Sequence, residues 1–271
     1  MNLLQAVALG IIQGTTEFVP VSSSAHLVLA PYFLGWSEPP VSFDVALHLG
    51  TLSGVVAFFR RDIVRLISAF LASIKERSLR NDPFRKLSWL IIVGTLPTVI
   101  LALLFESSFE KLFGKPLLVG YLLLVTGVIL WLSERFSSKK GKMGAIKFTD
   151  ALIIGLAQGC AIAPGISRSG ATISAGLFRG LTREASARYS FLLAIPIILG
   201  ATVRKLGKII LLCQTWTSFI PLSGGFLAAA ISGFFAVKYL LKFLQRGRLD
   251  VFSYYCLGIG TLTVTFAALK G

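Results

Sequence analysis

Apolar runs separated by short, cation-rich polar stretches set the plan of this chain. Runs at 41–59, 88–105, 117–133, 189–203, 217–237 and 250–269 are near the length, about 17–25 residues, that crosses a bilayer as a helix. They predict six transmembrane helices. No alternating strand pattern occurs, which argues against a β-barrel. Four further apolar pieces, 3–12, 25–35, 148–163 and 171–178, are too short to span comfortably. They form two pairs, each joined by a polar turn. Between the first pair lie Gln13, Gly14, Thr15, Thr16, Glu17, Pro20 and Ser22 to Ser24; between the second lie Gly165, Ser167, Arg168, Ser169 and Gly170. Half-length helices around a polar turn predict a re-entrant hairpin. Such irregular backbone is tolerated at membrane depth only where protein or a water-filled cavity surrounds it.

Charge orients these elements. No lysine or arginine precedes Arg60, and then Arg60, Arg61, Arg65, Lys75, Arg77, Arg80, Arg85 and Lys86 follow closely. By the positive-inside rule this stretch is a cytoplasmic loop. The 106–116 loop has no basic excess, as expected outside. Further cytoplasmic marks are Arg135, Lys139, Lys140, Lys142 and Lys147, then Arg179, Arg183 and Arg188, then Lys238, Lys242, Arg246 and Arg248. Arg204, Lys205 and Lys208 break the rule, and only snorkelling accounts for them at this level. The first hairpin then enters from outside and the second from inside. Each half holds one hairpin and three spans; three is odd, so the second half is inverted. The halves echo one another: GIIQG at 10–14 matches GLAQG at 155–159, and at the same offset Ser22 and Ser24 match Ser167 and Ser169. The expected fold is an all-α polytopic membrane protein with an inverted repeat. One membrane domain covers 1–271, with repeat one at about 1–135 and repeat two at about 148–271, and its site lies where the repeats meet.

Composition agrees. The chain is 55% hydrophobic and 14% charged with mean hydropathy +0.79, against roughly 25% charged in soluble proteins. A net charge of +15 on a soluble domain would point to nucleic acid. Here the cations sit in loops between spans, so topology accounts for them and nucleic acid is not an expected partner. Cys160, Cys213 and Cys256 are isolated in or beside apolar segments, with no metal or redox spacing, and are expected as small core residues. No basic segment precedes the first apolar piece, so a cleavable signal peptide is not expected.

The candidate chemistry lies in the two polar turns. Glu17 and Arg168 are ionisable groups near membrane depth, which makes each a functional candidate. Gln13 and Glu17 are four apart and share a helix face, where they could meet a metal ion or a water. Ser22, Ser23, Ser24 and His26 follow, offering hydroxyl nucleophiles beside an imidazole that titrates near neutrality. His48 stands alone in its span and reads as structural or supporting, with Asp44 as a helix cap. In the second turn Ser167, Arg168, Ser169 and Thr172, with Gly165 and Gly170 for close backbone approach, form a cradle for an anion. Arginine suits phosphate because its fork pairs two oxygens and stays charged. One loop supplies acid, base and nucleophile; the other supplies charge and donors. This points to hydrolysis of a phosphate ester or anhydride on a lipid, since phosphoryl transfer is helped chiefly by positioning and charge stabilisation. A transporter or flippase with the same inverted-repeat site is the alternative.

Three blocks, QGTTEFVPVSSSAH at 13–26, PGISRSGAT at 164–172 and SFLLAIP at 190–196, closely resemble the bacterial undecaprenyl-diphosphate phosphatases of the bacitracin-resistance family. The likeness covers essentially the whole chain. It implies removal of the terminal phosphate of undecaprenyl diphosphate, which recycles the lipid carrier for peptidoglycan precursors and confers bacitracin resistance. It also implies a cytoplasmic (inner) membrane location, a site open to the periplasmic side, and a divalent cation, magnesium or calcium. By position, Glu17, Ser23, His26 and Arg168 are the implied catalytic residues. Ser22, Ser167, Ser169, Gly165, Gly170 and Thr172 are the implied substrate-binding residues, and Glu17 with Gln13 the implied metal ligands. Gln13 stands where many relatives have a carboxylate, so it could ligate only through its carbonyl oxygen, and the metal could instead ride on the diphosphate. Three schemes stay open: Ser23 activated by His26, which is favoured, direct attack by His26, and a water activated by Glu17. Glycine-rich spans could pack within the chain or against a second subunit in a homodimer.

Overall fold

The computed structural model describes residues 1–80, 82–110, 115–212 and 216–270, with side chains undescribed at 106–110, 206, 208–212, 216–218 and 270. The described residues are helical, apart from turns, a short 3-10 turn at Met143–Ala145 and one isolated bridge between Gly141 and Leu181. Helix α1 (Leu3–Phe18) opens on a capping box in which Asn2 and Gln5 satisfy each other's backbone donors. Helix α2 (Ser23–Leu34) is capped by Ser22 and ends on Gly35, whose φ of 66° is the left-handed conformation that closes a helix. Then come α3 (Val41–Phe58), α4 (Arg60–Lys75), α5 (Pro83–Glu110) and α6 (Pro116–Phe136), followed by α7 (Phe148–Cys160), α8 (Arg168–Phe178), α9 (Arg183–Leu212), α10 (Trp216–Leu244) and α11 (Asp250–Lys270).

Six of these are long and apolar enough to cross a membrane: Val41–Phe58, Pro83–Phe105, Pro116–Phe136, Arg183–Lys205, Phe219–Leu244 and Asp250–Leu269. They coincide with the six spans read from the sequence, and the chain is a multi-pass membrane protein. Helix α1, the longest of the four hairpin helices with 16 residues, rises about 24 Å at 1.5 Å per residue, short of a hydrocarbon core about 30 Å thick.

The basic stretch after α3 differs from expectation. It is not a loop over 60–75 but the helix α4. Its charges obscure three faces: buried Leu66, Ala69 and Ser73; exposed Arg61, Arg65, Ser68 and Lys75; and an exposed apolar stripe of Val64, Ile67, Leu71 and Ile74. The buried face is held by Trp89, whose Nε1 donates to Ser73 Oγ at 2.9 Å, and by the Phe70–Trp89 ring contact.

The halves interlock. Helix α1 packs on α10 and α7 on α5, while α3 packs on α9 and α6 on α11. Small residues make the first pairings close. A Cβ on Gly10 would strike the carbonyl of Gly225, and one on Gly155 would strike that of Gly94. Gly14, Gly50 and Gly54 also face backbone of α10, so these glycines are used within the chain. The central apolar core gathers Phe18, Leu52, Val55, Val119, Leu123, Ile173 and Phe191. Of the cysteines expected in the core, Cys256 is buried and donates to the Pro20 carbonyl, while Cys160 is exposed on the outer face of α7. Cys213 lies outside the described residues, as do 111–114 of the loop expected outside.

Candidate functional site

The last turn of α1, the first turns of α2 and α8, and the middle of α3 converge. Glu17, at the end of α1, is buried. Its Oε2 accepts from Gln13 Nε2 at 2.8 Å and from the Ser23 hydroxyl, and its Oε1 accepts from Arg168 Nη2. Arg168 comes from the opposite half of the chain. Its guanidinium also lies 5.8 Å from the Phe18 ring, which itself packs edge-on against Phe191. A carboxylate, an arginine and a serine hydroxyl are thus joined across the two polar turns, with the buried carboxylate paired as burial requires.

Local backbone explains the placement. Ser22 caps α2 at φ 69°, a left-handed conformation uncommon outside glycine and kept chiefly where function requires it. Its Oγ accepts from the Ala25 amide at 3.3 Å. Ser167 caps α8 by accepting from the Gly170 amide at 3.0 Å. Gly165 has φ 102°, and a Cβ there would sit 2.8 Å from the Val119 carbonyl oxygen, so the turn requires glycine. Thr126 pins this turn from α6: its Oγ1 donates to the Gly165 carbonyl and accepts from the Ser167 amide. The two turns also touch directly. The Gly165 amide donates to Ser24 Oγ at 3.3 Å, and Ser169 Oγ donates to the Val19 carbonyl at 3.1 Å. Thr172 bonds Ser190 Oγ at 2.6 Å and its own helix, so it braces α8 against α9.

A cavity of about 290 Å³ opens above this junction, lined by Glu17, Ser22, Ser23, Ser24, His48, Ser167, Arg168 and Lys205, with apolar walls from Val45, Ile162, Ile166, Ile197 and Ile198. That volume is near the lower end for ligand pockets and suits a head group. Lys205, one of the three charges that break the topology rule, lines this cavity.

The histidines are placed differently from the sequence reading. His26 lies outside that lining. Its Nδ1 bonds the Ser22 carbonyl at 2.8 Å, and its Nε2 bonds the Tyr255 hydroxyl at 2.8 Å, the two rings lying nearly parallel with centroids 5.7 Å apart. The group on Ser23 is Glu17, not His26. His48 lines the cavity instead, its Nε2 3.6 Å from Glu17 Oε2. The sequence signal was an imidazole in a span that otherwise carries only Asp44 one turn earlier.

The residues present do not fit a metal held by the protein itself. Both oxygens of Glu17 are taken by Arg168, Ser23 and Gln13, and among the described residues no three His, Cys, Asp or Glu side chains cluster as ligands. Gln13 Oε1 is buried without a partner, a single neutral oxygen and not a chelating set.

Fold and site together define a polytopic membrane protein whose two polar turns bring a carboxylate, a serine and an arginine to one head-group-sized cavity. The model of the family "Bacitracin resistance protein BacA" matches residues 6–262, and the chain belongs to that family. It is 46% identical to the undecaprenyl-diphosphatase of Methanobrevibacter smithii, over 97% of this chain and 96% of that protein. It is 43% identical to the undecaprenyl-diphosphatase of Methanosphaera stadtmanae, over 99% of each chain. It is also 43% identical to the undecaprenyl-diphosphatase of Moorella thermoacetica over the full length of both.

Proposed function

We propose that this protein hydrolyses undecaprenyl diphosphate to undecaprenyl phosphate and inorganic phosphate. The observation that carries the reading is the junction of Ser23 and Arg168 on the one buried carboxylate of Glu17, at the floor of a head-group-sized cavity. The names of the full-length relatives agree and favour hydrolysis over transport.

In the free protein Arg168 is neutralised by Glu17. An incoming diphosphate competes for the guanidinium, whose fork pairs phosphoryl oxygens. Glu17, relieved of its cation, becomes a stronger base for the Ser23 proton. Ser23 Oγ attacks the terminal phosphorus, the bond to the bridging oxygen breaks, and undecaprenyl phosphate leaves with those electrons. Water then attacks the phosphoserine, phosphate leaves, and Ser23 regains a proton through Glu17. Arg168 stabilises the charge on the transferring group throughout. Ser167, which lines the cavity, and the amides of Arg168 and Ser169 at the start of α8 serve the phosphate oxygens, while the Ser169 hydroxyl stays on the Val19 carbonyl.

The divalent cation, magnesium or calcium, enters with the diphosphate rather than residing on Gln13 and Glu17. The role in the cell is recycling of the lipid carrier, with resistance to bacitracin following from removal of its diphosphate target. The protein sits in the cytoplasmic membrane with the cavity on the periplasmic side. This is supported by the cation-rich segments, which place the opposite face inside. The two halves form an inverted repeat whose hairpins are re-entrant, a reading supported by their short helices and by the exchange of packing partners between halves.

The test is phosphate release from undecaprenyl diphosphate by purified protein, with and without chelator. The expected result is release that chelator stops, together with no heat of magnesium binding to the protein alone. A folded protein that binds the lipid diphosphate and releases no phosphate would sink the reading.

A further inference from the structure

The two histidines differ in what their nitrogens are free to do. In both rings Nδ1 faces a backbone carbonyl, that of Ser22 for His26 and that of Asp44, at 2.7 Å, for His48. A carbonyl only accepts, so Nδ1 carries the hydrogen in each, and the lone pair of the neutral ring is on Nε2. In His26 that lone pair accepts the Tyr255 hydroxyl. In His48 it faces the cavity, 3.6 Å from Glu17 Oε2, the same oxygen that takes the Ser23 hydroxyl. The His48 side chain is 33% exposed and Glu17 5%, so the imidazole stands between a buried carboxylate and the cavity mouth.

We infer that His48 is the proton relay of this site, receiving on Nε2 the proton that Glu17 takes from Ser23 and passing it to solvent. This rests on the phosphatase reading above. As the Ser23 Oγ–P bond forms and the bond to the bridging oxygen breaks, the hydroxyl proton moves to Glu17 Oε2 and then to His48 Nε2. Glu17 returns to carboxylate and His48 becomes imidazolium. When water attacks the phosphoserine, a proton of that water reaches Ser23 Oγ by way of Glu17 as the Oγ–P bond breaks. His48 releases its proton to the cavity, which is the proton the overall hydrolysis sets free.

His48 works among several charged groups. The groups that face it are Glu17 from α1, Arg168 from α8, Lys205 from α9 and Asp44 on its own helix. Helix α10 meets the opposite, glycine face of α3 with Phe226, Ala229 and Ala230 and brings no titratable group.

The test compares wild type, His48→Gln, His48→Ala and Tyr255→Phe in phosphate release from undecaprenyl diphosphate across pH, each with its melting temperature and its inhibition by undecaprenyl phosphate. His48→Gln is expected to lower kcat roughly 100-fold near neutral pH, the lower part of the range for general acid–base groups, with KM unchanged. The loss persists in a single-turnover assay, where product release plays no part. Added imidazole restores activity to His48→Ala, and Tyr255→Phe keeps kcat near wild type. The inference is overturned if His48→Gln keeps kcat within threefold. It is equally overturned if the loss comes with a raised KM or a lowered melting temperature and imidazole does nothing, which is a structural role. A loss of kcat in Tyr255→Phe that matches the loss in His48→Gln would assign the proton to His26 and overturn the inference. A folded wild type that releases no phosphate overturns the phosphatase reading itself, and the relay with it.

Discussion

Glu17 carries a negative charge, a pairing role and a proton-accepting role at once, and its variants separate them. Glu17→Gln keeps the shape and the contact to Gln13 but removes the charge, leaving the part-buried Arg168 without a counter-ion. Breaking one partner of a buried pair costs on the order of 3–5 kcal/mol, so this variant should melt earlier and lose phosphate release together. Ser23→Ala removes only a hydroxyl and should abolish release while keeping the melting temperature near wild type. Arg168→Lys keeps the charge and loses the fork. A fall in release of about 100-fold or more, comparable to removing one strong donor from a transition-state site, is expected in a single-turnover assay. Retention of full activity would show that a point charge suffices.

At the scale of elements, the hairpin helices depend on backbone proximity. Gly155→Val would drive side-chain atoms into the Gly94 carbonyl and separate α7 from α5. Overpacking of this kind costs about 1–3 kcal/mol and here also displaces the turn that carries Arg168. Gly35→Ala meets nothing within 4 Å and suffers only its φ of 66°, worth about 1 kcal/mol. Thermal melts in detergent should rank Gly155→Val well below Gly35→Ala, with phosphate release impaired only in the former. Helix α4 makes a separate prediction. Its exposed stripe of Val64, Ile67, Leu71 and Ile74 beside a cationic face is the pattern of a helix lying in the membrane interface. Spin labels at residues 67 and 71 should show oxygen collisions typical of lipid, and labels at 61 and 68 collisions typical of water.

Across the whole molecule, the cations that mark topology also close the fold. Glu134, on the last turns of α6, is buried and accepts from Arg183 and Lys139 and from the Leu249 amide at 3.2 Å, with Arg248 3.8 Å away. Asp150 takes Arg179 at 2.7 Å and Asp62 takes Arg188 at 2.8 Å. One buried carboxylate therefore ties α6, α9 and the start of α11 together. Glu134→Ala should lower stability by about 3–5 kcal/mol and leave KM for the diphosphate near wild type, since Glu134 is not part of the cavity lining. A shifted KM with an unchanged melting temperature would contradict this.

The spans, the two polar turns and the candidacy of Glu17, Ser23 and Arg168 within them are legible in the sequence, which pairs Ser23 with His26 rather than with Glu17. Hydrophobic length and the cost of a charge at membrane depth act residue by residue and leave a linear trace. Even α4 is written there, but its charges hid a period that packing on α5 brings out. The tertiary structure decided which imidazole faces the carboxylate. His26 is near Ser23 in the chain, yet a helical turn rotates it toward α11, where Tyr255 occupies its lone pair. His48 is remote in the chain, and the packing of α3 beside α1 brings its free nitrogen to Glu17. Lys205 reaches the cavity in the same way, as the side-chain direction on α9 is set by what that helix packs against. Composition and spacing report what a segment can bury; which side chains meet across segments depends on helix rotation and register, and only the assembled bundle fixes those.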